Sequence, residues 1–543
     1  REKRTPNSAE RRYQKTLSKN FTLYADYKKN FNDRHDLSVM VGTSHESENY
    51  DRFTAKRINF DQQENMSLQL GSAQDQNAWS EGNQWTINSF FSRVNYTFAN
   101  KYVIEGTIRA DGSSRFDPDH RWGWFPGVNA AWRVGEEGFM KRLGWFEDLK
   151  VRASYGEMGN QSGIGLYDYI QLISLSNDYY PFGAGVKGQM ATSGNIISTS
   201  RTWETIQTTN VGFDFSTLNN RLYGSFDYFW KENKNMLIPK TYPSMLGADA
   251  PSTNSGHLSI HGWEISLGWR DQIKDFSYSV RFNISDAKNK VVDRVGSNLI
   301  KLGNNETPTG YPLNSYFGYE FDGIIQNEQE LEAYKSRFSE GGIPGDLSVG
   351  DAMYKDLDGD GKLSVLGDGK EGSGDVKYLG DKNPRYNFGF NLSMAWKGFD
   401  LSAFIQGVGR RTMFLEGESR CPMPEAWYQS AEYWYGKTWT PERTDAQYPA
   451  ITLKDKRNYN YYVSTNTKFN VAYARLKNLQ FGYTIPQTLT SKAGLQKVRV
   501  YFSGEDLFEV HNTPNGWDPE ENSGSITSYP FTRNYSFGIN VVF

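Results

Sequence analysis

Long segments of this chain alternate apolar and polar residues with the two-residue period of a strand that is buried on one side. The final eleven residues, Arg533 to Phe543, carry the pattern most plainly: Tyr535, Phe537, Ile539, Val541 and Phe543 fall on one face, Ser536, Gly538, Asn540 and Val542 on the other. In a soluble sheet, a strand ending on Phe543 would leave an aromatic ring and a free carboxylate together at a fraying terminus. In a lipid-facing barrel an apolar row can run to the last residue. Hydrocarbon pairs with no backbone N–H or C=O, so the last strand must close against another and no edge stays open. The expectation is a transmembrane antiparallel β-barrel sealed by this strand, with those five apolar side chains facing lipid.

The same alternation places strands along the rest of the chain. Tyr24 to Asn30 and Asp36 to Gly42 flank a polar hinge, Phe31 to His35, of hairpin length. Ser89 to Ala99 turns at Asn100-Lys101 into Tyr102 to Ala110, and Val128 to Val134 follows a loop. Phe139 to Asp148 reads as a short helical connector into an extended Leu149 to Gly156. Trp203 to Ser216 pairs with Arg221 to Trp230, Gly262 to Arg270 with Phe276 to Ser285, and Pro384 to Trp396 with Phe399 to Gly407. Asn470 to Thr484, Val498 to Asp506 and Phe531 to Phe543 complete roughly sixteen candidate strands. Long strand, short turn, long strand, long loop is the rhythm of an outer-membrane barrel, whose long loops lie outside the cell. The longest expected loops span 286–383 and 408–466. A soluble propeller would instead repeat four-strand blades at a fixed period, and none is found.

Composition agrees with the membrane reading. The chain has 543 residues, beyond the usual size of one soluble core. Aromatic residues make up 15%, with 34 Tyr, 33 Phe and 15 Trp, yet mean hydropathy is −0.69. A barrel reconciles the two, because only alternate residues meet lipid and the outer loops are polar. No apolar run of eighteen residues occurs, which excludes a helical membrane protein. The formal net charge of −3 is uninformative by itself, but no long basic run suggests a nucleic-acid partner. Cys421 is the single cysteine, so neither an intrachain disulfide framework nor a Cys-rich metal cluster is available.

The sharpest chemical motif is Asp356-Leu357-Asp358-Gly359-Asp360-Gly361-Lys362-Leu363-Ser364. Asp356, Asp358 and Asp360 stand at positions one, three and five of a Ca²⁺ loop, Gly361 at six, Lys362 at seven and Ser364 at nine. Position twelve is Gly367 where a bidentate Glu is usual, so Asp368 or another acid of the loop would have to complete the shell. A structural Ca²⁺ is the expectation, with no cofactor required; an Asp/Gly-rich turn without metal is the plainer alternative. His257 and His261 lie four apart near a strand entrance, about 13 Å along a strand, too far to share an ion. Two aromatic-rich stretches, with Tyr179, Tyr180, Trp427, Tyr428 and Trp434, offer flat rings for a sugar or peptide, or pack loops and membrane belts. No hydrolase, metalloprotease or phosphate-loop pattern appears, so an enzyme is not expected.

Several segments together resemble one family. Asp111-Gly112-Ser113-Ser114-Arg115-Phe116, Arg121-Trp122-Gly123 and Phe125-Pro126 resemble barrel signatures of SusC/RagA-like TonB-dependent outer-membrane transporters. So do Pro344-Gly345-Asp346, Asp356 to Gly361, Gly398-Phe399-Asp400-Leu401 with Gln406-Gly407, and Arg475-Leu476-Lys477-Asn478-Leu479. Gly482-Tyr483, Ile485-Pro486, Asp518-Pro519-Glu520 and the terminal Phe543 complete an ordered set covering nearly the whole chain. The resemblance implies a 22-stranded plugged barrel in a Gram-negative outer membrane that imports glycan oligosaccharides or peptides. It also implies a SusD-like surface lipoprotein as lid, energy from TonB, and a dimer of transporter–lipoprotein pairs. Residues 1–543 would be the C-terminal barrel portion, with the TonB-contacting segment, plug and first strands upstream of Arg1. The alternative from another class is a soluble, aromatic-rich glycan-binding or glycan-cleaving β-protein. Strand length separates the two, since lipid-facing alternation should persist for about nine to eleven residues.

Overall fold

The computed structural model describes residues 7–61, 66–74, 76–182, 186–194, 196–239, 251–294, 308–365, 374–424, 430–452, 455–521 and 531–543, with the single residues 64, 245, 303, 524 and 529. Its main sheet has fifteen strands in chain order. They are β1 (Ser8–Phe31), β2 (His35–Ile58), β3 (Gln76–Phe98), β4 (Tyr102–Ser113), β5 (Trp122–Arg133), β6 (Asp148–Asn160), β7 (Glu204–Thr217) and β8 (Leu222–Pro239). Then follow β9 (Ser252–Ile273), β10 (Phe276–Asp293), β11 (Arg385–Trp396), β12 (Phe399–Arg410), β13 (Tyr473–Thr484), β14 (Lys497–His511) and β15 (Asn534–Val542). The expected hairpins are present, and their strands run further than alternation alone marks. β1 and β2 pair over 24 residues each, continuing past the apolar stretch as a charged ribbon. The two longest connections are accordingly 294–384 and 411–472. Among the described residues no helix is long and apolar enough to cross a membrane.

Turn chemistry explains the short ends. Asn32 and Asp33, Ala99 and Asn100, Leu218 to Asn220, and Lys397 with Gly398 all have positive φ. That left-handed geometry matches the twist of the flanking strands, and Asn, Asp and Gly tolerate it best. The connector expected before β6 contains a helix, Gly138–Leu143, ended by Gly144 at φ 62, whose N–H donates to the Met140 carbonyl.

The chain divides into two compact units, Arg1–Trp132 with Ala153–Thr209 and Glu232–Gly256, and Arg133–Arg152 with Asn210–Lys231 and His257–Phe543. In the first, Trp122, Trp124, Val128 and Trp132 share one face of β5; on the same face of β4, Tyr102 stands opposite Trp132 and Ala110 opposite Trp124, with Ile104 and Ile108 between them. Phe98, Tyr102 and Trp132 stack in a row at the short-turn end, and Phe90 stacks on Trp122 at the other. Ten residues separate Trp122 from Trp132. At about 3.4 Å per residue and a tilt of about 40°, that is about 26 Å across the membrane, against an apolar band of about 25 Å between aromatic girdles. The opposite face is polar: Glu105 accepts hydrogen bonds from Asn95 (3.3 Å) and Asn129 (3.1 Å).

The second unit repeats the design on its own strands. Tyr386, Phe388, Phe390, Leu392, Met394 and Trp396 line one face of β11 over the same ten-residue interval, while Asn387, Asn391 and Ser393 line the other. Trp396, Phe399 and Phe481 stack at the short-turn end. Charges on the polar face are paired across strands. Arg152 forks onto Asp227 (2.5 and 2.6 Å) and reaches Asp214 (3.2 Å), and Arg499 joins Asp400 (2.9 and 2.5 Å) and Gln480 (3.1 Å). Glycines opposite aromatics let rings lie flat on the sheet. Gly407 faces Phe388 and Gly538 faces Tyr501, each so close that an added Cβ would meet the ring.

Candidate functional site

Within the second unit the long connections fold together instead of extending separately. The segment after β10 carries helix α1 (Glu328–Lys335), started by Asn327, whose side chain accepts from the Glu330 N–H at 2.9 Å. Leu331 and Tyr334, three apart on α1, are buried with Tyr319 and Tyr354 against Tyr459 from the connection after β12. Three of their hydroxyls are paired: Tyr334 and Tyr459 share a hydrogen bond of 2.8 Å, and the Tyr354 hydroxyl donates to the Tyr459 carbonyl at 2.9 Å. A second core, with Met413, Tyr433, Trp434, Tyr448 and Tyr461, adds Trp517 from the connection between β14 and β15.

The Asp-rich loop lies beside the first core, into which Leu363 packs. Asp356 accepts from the N–H groups of Gly359 (2.7 Å) and Gly361 (2.9 Å), and both glycines sit at φ 75, a conformation that Cβ-bearing residues rarely adopt. Asp356 and Asp358 converge with Asp375, carboxylate oxygens within 4.8 Å of one another. Asp360 instead accepts from the Lys362 N–H at 2.7 Å. Asp375 is fully buried and accepts from Leu357 (2.6 Å) and Ser364 (2.8 Å). Burial pushes its carboxyl above the usual range, as do the charges of Asp358 and Asp356, while those two backbone donors pull it down. Loss of water likewise raises Asp358, with Asp360 and Asp356 adding to it. This concentrates negative charge where a hard cation would relieve it.

Asp375 has no place in the spacing that marks the loop; only folding brings it in. Asp368 lies outside the described residues. So do Trp427, Tyr428 and the side chains of Tyr179 and Tyr180, whose backbone is in the short strand Ile173–Phe182. Trp434 is 3% exposed, its ring edge-on to Tyr433, Tyr448 and Tyr461, so its surface is spent on packing the loops. On β15, Phe537, Ile539 and Val541 stand opposite Phe502, Val500 and Val498, continuing the apolar row, with Tyr535 62% exposed further along. Phe543, just past the strand's end, is 83% exposed. Asn540 and Gly538 stand opposite Arg499 and Tyr501 on the polar face.

Residues 2–507 match the model of the TonB dependent receptor-like β-barrel family. TonB-dependent receptor P3 of Formosa agariphila is 31% identical over 97% of this chain and 52% of its own length. TonB-dependent receptor SusC of Bacteroides thetaiotaomicron is 26% identical over 96% of this chain and 50% of its own length. The chain thus spans about half the length of the curated relatives it matches. Among solved structures, the RagAB peptide transporter superposes with a TM-score of 0.81 at 23% identity, over 98% of this chain and 56% of that one, a likeness of fold. One long sheet with a ten-residue apolar band argues against the alternative of a soluble, aromatic-rich glycan-binding or glycan-cleaving β-protein. The chain belongs to the TonB-dependent receptor β-barrel family, whose members are outer-membrane barrels of Gram-negative bacteria.

Proposed function

We propose that the protein takes glycan oligosaccharides or peptides across the outer membrane, with energy from TonB and a SusD-like surface lipoprotein as lid, in a dimer of such pairs. The observation that carries this reading is the two-sidedness of the sheet. One face offers lipid a greasy band bounded by aromatic rings. The other offers paired charges and amides, which suit a hydrated, hydrogen-bonding cargo. The loops support a lid, because packed cores make them a stiff platform. The test is to purify the full-length protein from outer membranes with its partner lipoprotein and identify bound ligand by mass spectrometry. Recovery of a glycan or peptide is expected. A complex carrying neither, or no lipoprotein at all, would overturn the reading.

The acidic loop is proposed to hold a structural Ca²⁺ through Asp356, Asp358 and Asp375. Replacing Asp375 by Asn is expected to weaken Ca²⁺ binding at least about tenfold while leaving barrel assembly intact. The pH dependence has a definite sign. Because the folded Asp375 carboxyl is raised, the ion-free loop is most stable in mild acid and loses stability as pH climbs from the ordinary Asp value of about 3.9 through the raised one. With Ca²⁺ present the trend reverses, since protonation expels the ion. Loop proteolysis from pH 4 to 8, with and without Ca²⁺, measures both; identical curves would remove the ion from the account.

A further inference from the structure

Two motifs singled out in the sequence, Arg475-Leu476-Lys477 and Asp518-Pro519-Glu520, meet in space. Arg475 on β13 is fully buried, its guanidinium 2.5 Å from Asp518, 3.2 Å from Glu520 and 3.7 Å from Glu509 on β14. Lys477 reaches Asp506 at 2.7 Å and Glu520 at 3.0 Å. Arg533, next to the start of β15, reaches Glu509 at 2.6 Å, and the Phe531 ring covers the Arg475 guanidinium at 4.2 Å. A second buried arginine, Arg411, grips the same segment by its backbone, donating to the carbonyls of Pro519 (2.6 Å) and Glu521 (3.0 Å).

Register places these charges on the polar face. Arg475 stands opposite Gln406 and Glu509, while Phe508 and Val510, either side of Glu509, are each 63% exposed on the other face. The first half of the connection after β14 therefore lies along the wall that the proposed cargo would pass. Lifting the segment would leave Arg475 only Glu509 of its three carboxylate partners, so Asp518 and Glu520 hold the segment down while Arg475 stays. Unlike β1–β2 or β11–β12, the pair β14–β15 has no tight turn to fix its register, since its strands end at His511 and resume only at Asn534. Tertiary contacts must supply that constraint.

We propose that Arg475 is the central post of an ionic clamp, with Lys477 and Arg411 beside it, that pins residues 512–521 to the polar face. The segment is a fixed strap and not a moving gate. Thr513, 6% exposed within it, reports its opening. The experiment uses the full-length protein in outer membranes, with Cys421 and any cysteine outside residues 1–543 replaced by Ser and Thr513→Cys as the probe for a maleimide. In that parent the probe is expected to be protected. Arg475→Met and Asp518→Asn should each speed labelling at least about tenfold, with unchanged heat-modifiable gel mobility of the folded barrel. Should Arg475→Met fail to assemble, Asp518→Asn decides, since it leaves Arg475 with Glu509 and Glu520. Fast labelling in the parent, or equal labelling in the parent and Asp518→Asn, overturns the clamp.

Discussion

Arginine at Leu392 is expected to cost about 2–4 kcal/mol of barrel stability, while arginine at the adjacent Ser393 costs almost nothing. The two positions share a backbone and differ only in the face they take. Leu392 lies near the middle of the apolar row of β11, six residues from Tyr386 and four from Trp396, with Val280 and Ala403 as its cross-strand partners. A guanidinium there sits near the bilayer midplane, too deep to reach headgroups. Ser393 stands opposite Ser279 and Ser402 on the polar face, where an added charge meets water and other polar groups. Urea unfolding of the two variants in lipid vesicles measures the difference. Equal stabilities would mean that the apolar row does not face lipid.

That pair of positions also marks what the sequence made legible. Two-residue alternation is a property of local backbone geometry, so the facing of β11 and β15 could be read directly from residues such as Leu392, Ser393, Phe537 and Asn540. Short turns were legible for the same reason: Asn32-Asp33 and Lys397-Gly398 carry their own conformational preference. Strand ends were not. β1 to β3 continue as charged ribbon beyond the lipid band, where alternation of apolar with polar ceases and only hydrogen-bonded register reveals the strand. The acidic loop was half legible. Asp356 and Asp358 declare themselves by spacing, but Asp375 is brought in by the folding of the intervening chain. Trp434 misled for a related reason, since an aromatic in a loop looks the same in sequence whether it meets ligand or another loop. Arg475 and Asp518 stood out as motif members, yet their pairing is long-range and left no periodic trace.

Truncating Tyr354 to Ala should have the largest effect in the loops, about 3–5 kcal/mol, and should leave the strands alone. Its ring is 1% exposed and packs against Tyr319 at 5.6 Å and Tyr459 at 5.3 Å, so truncation opens a cavity that a core built from two distant connections cannot easily refill. The hydroxyl matters less. Tyr354→Phe deletes the donor to the Tyr459 carbonyl but keeps the packing, and about 1 kcal/mol is expected. Both variants should assemble, because the cost falls on residues outside the membrane band, in contrast to Leu392→Arg. Hydrogen exchange separates these outcomes. In Tyr354→Ala, protection should drop together in 319–324, 352–354 and 459–462, since one core holds all three, while β11 and β12 exchange as in the parent. If only 352–354 loosened, the two connections would be folding independently and the shared tyrosine core would not be what joins them.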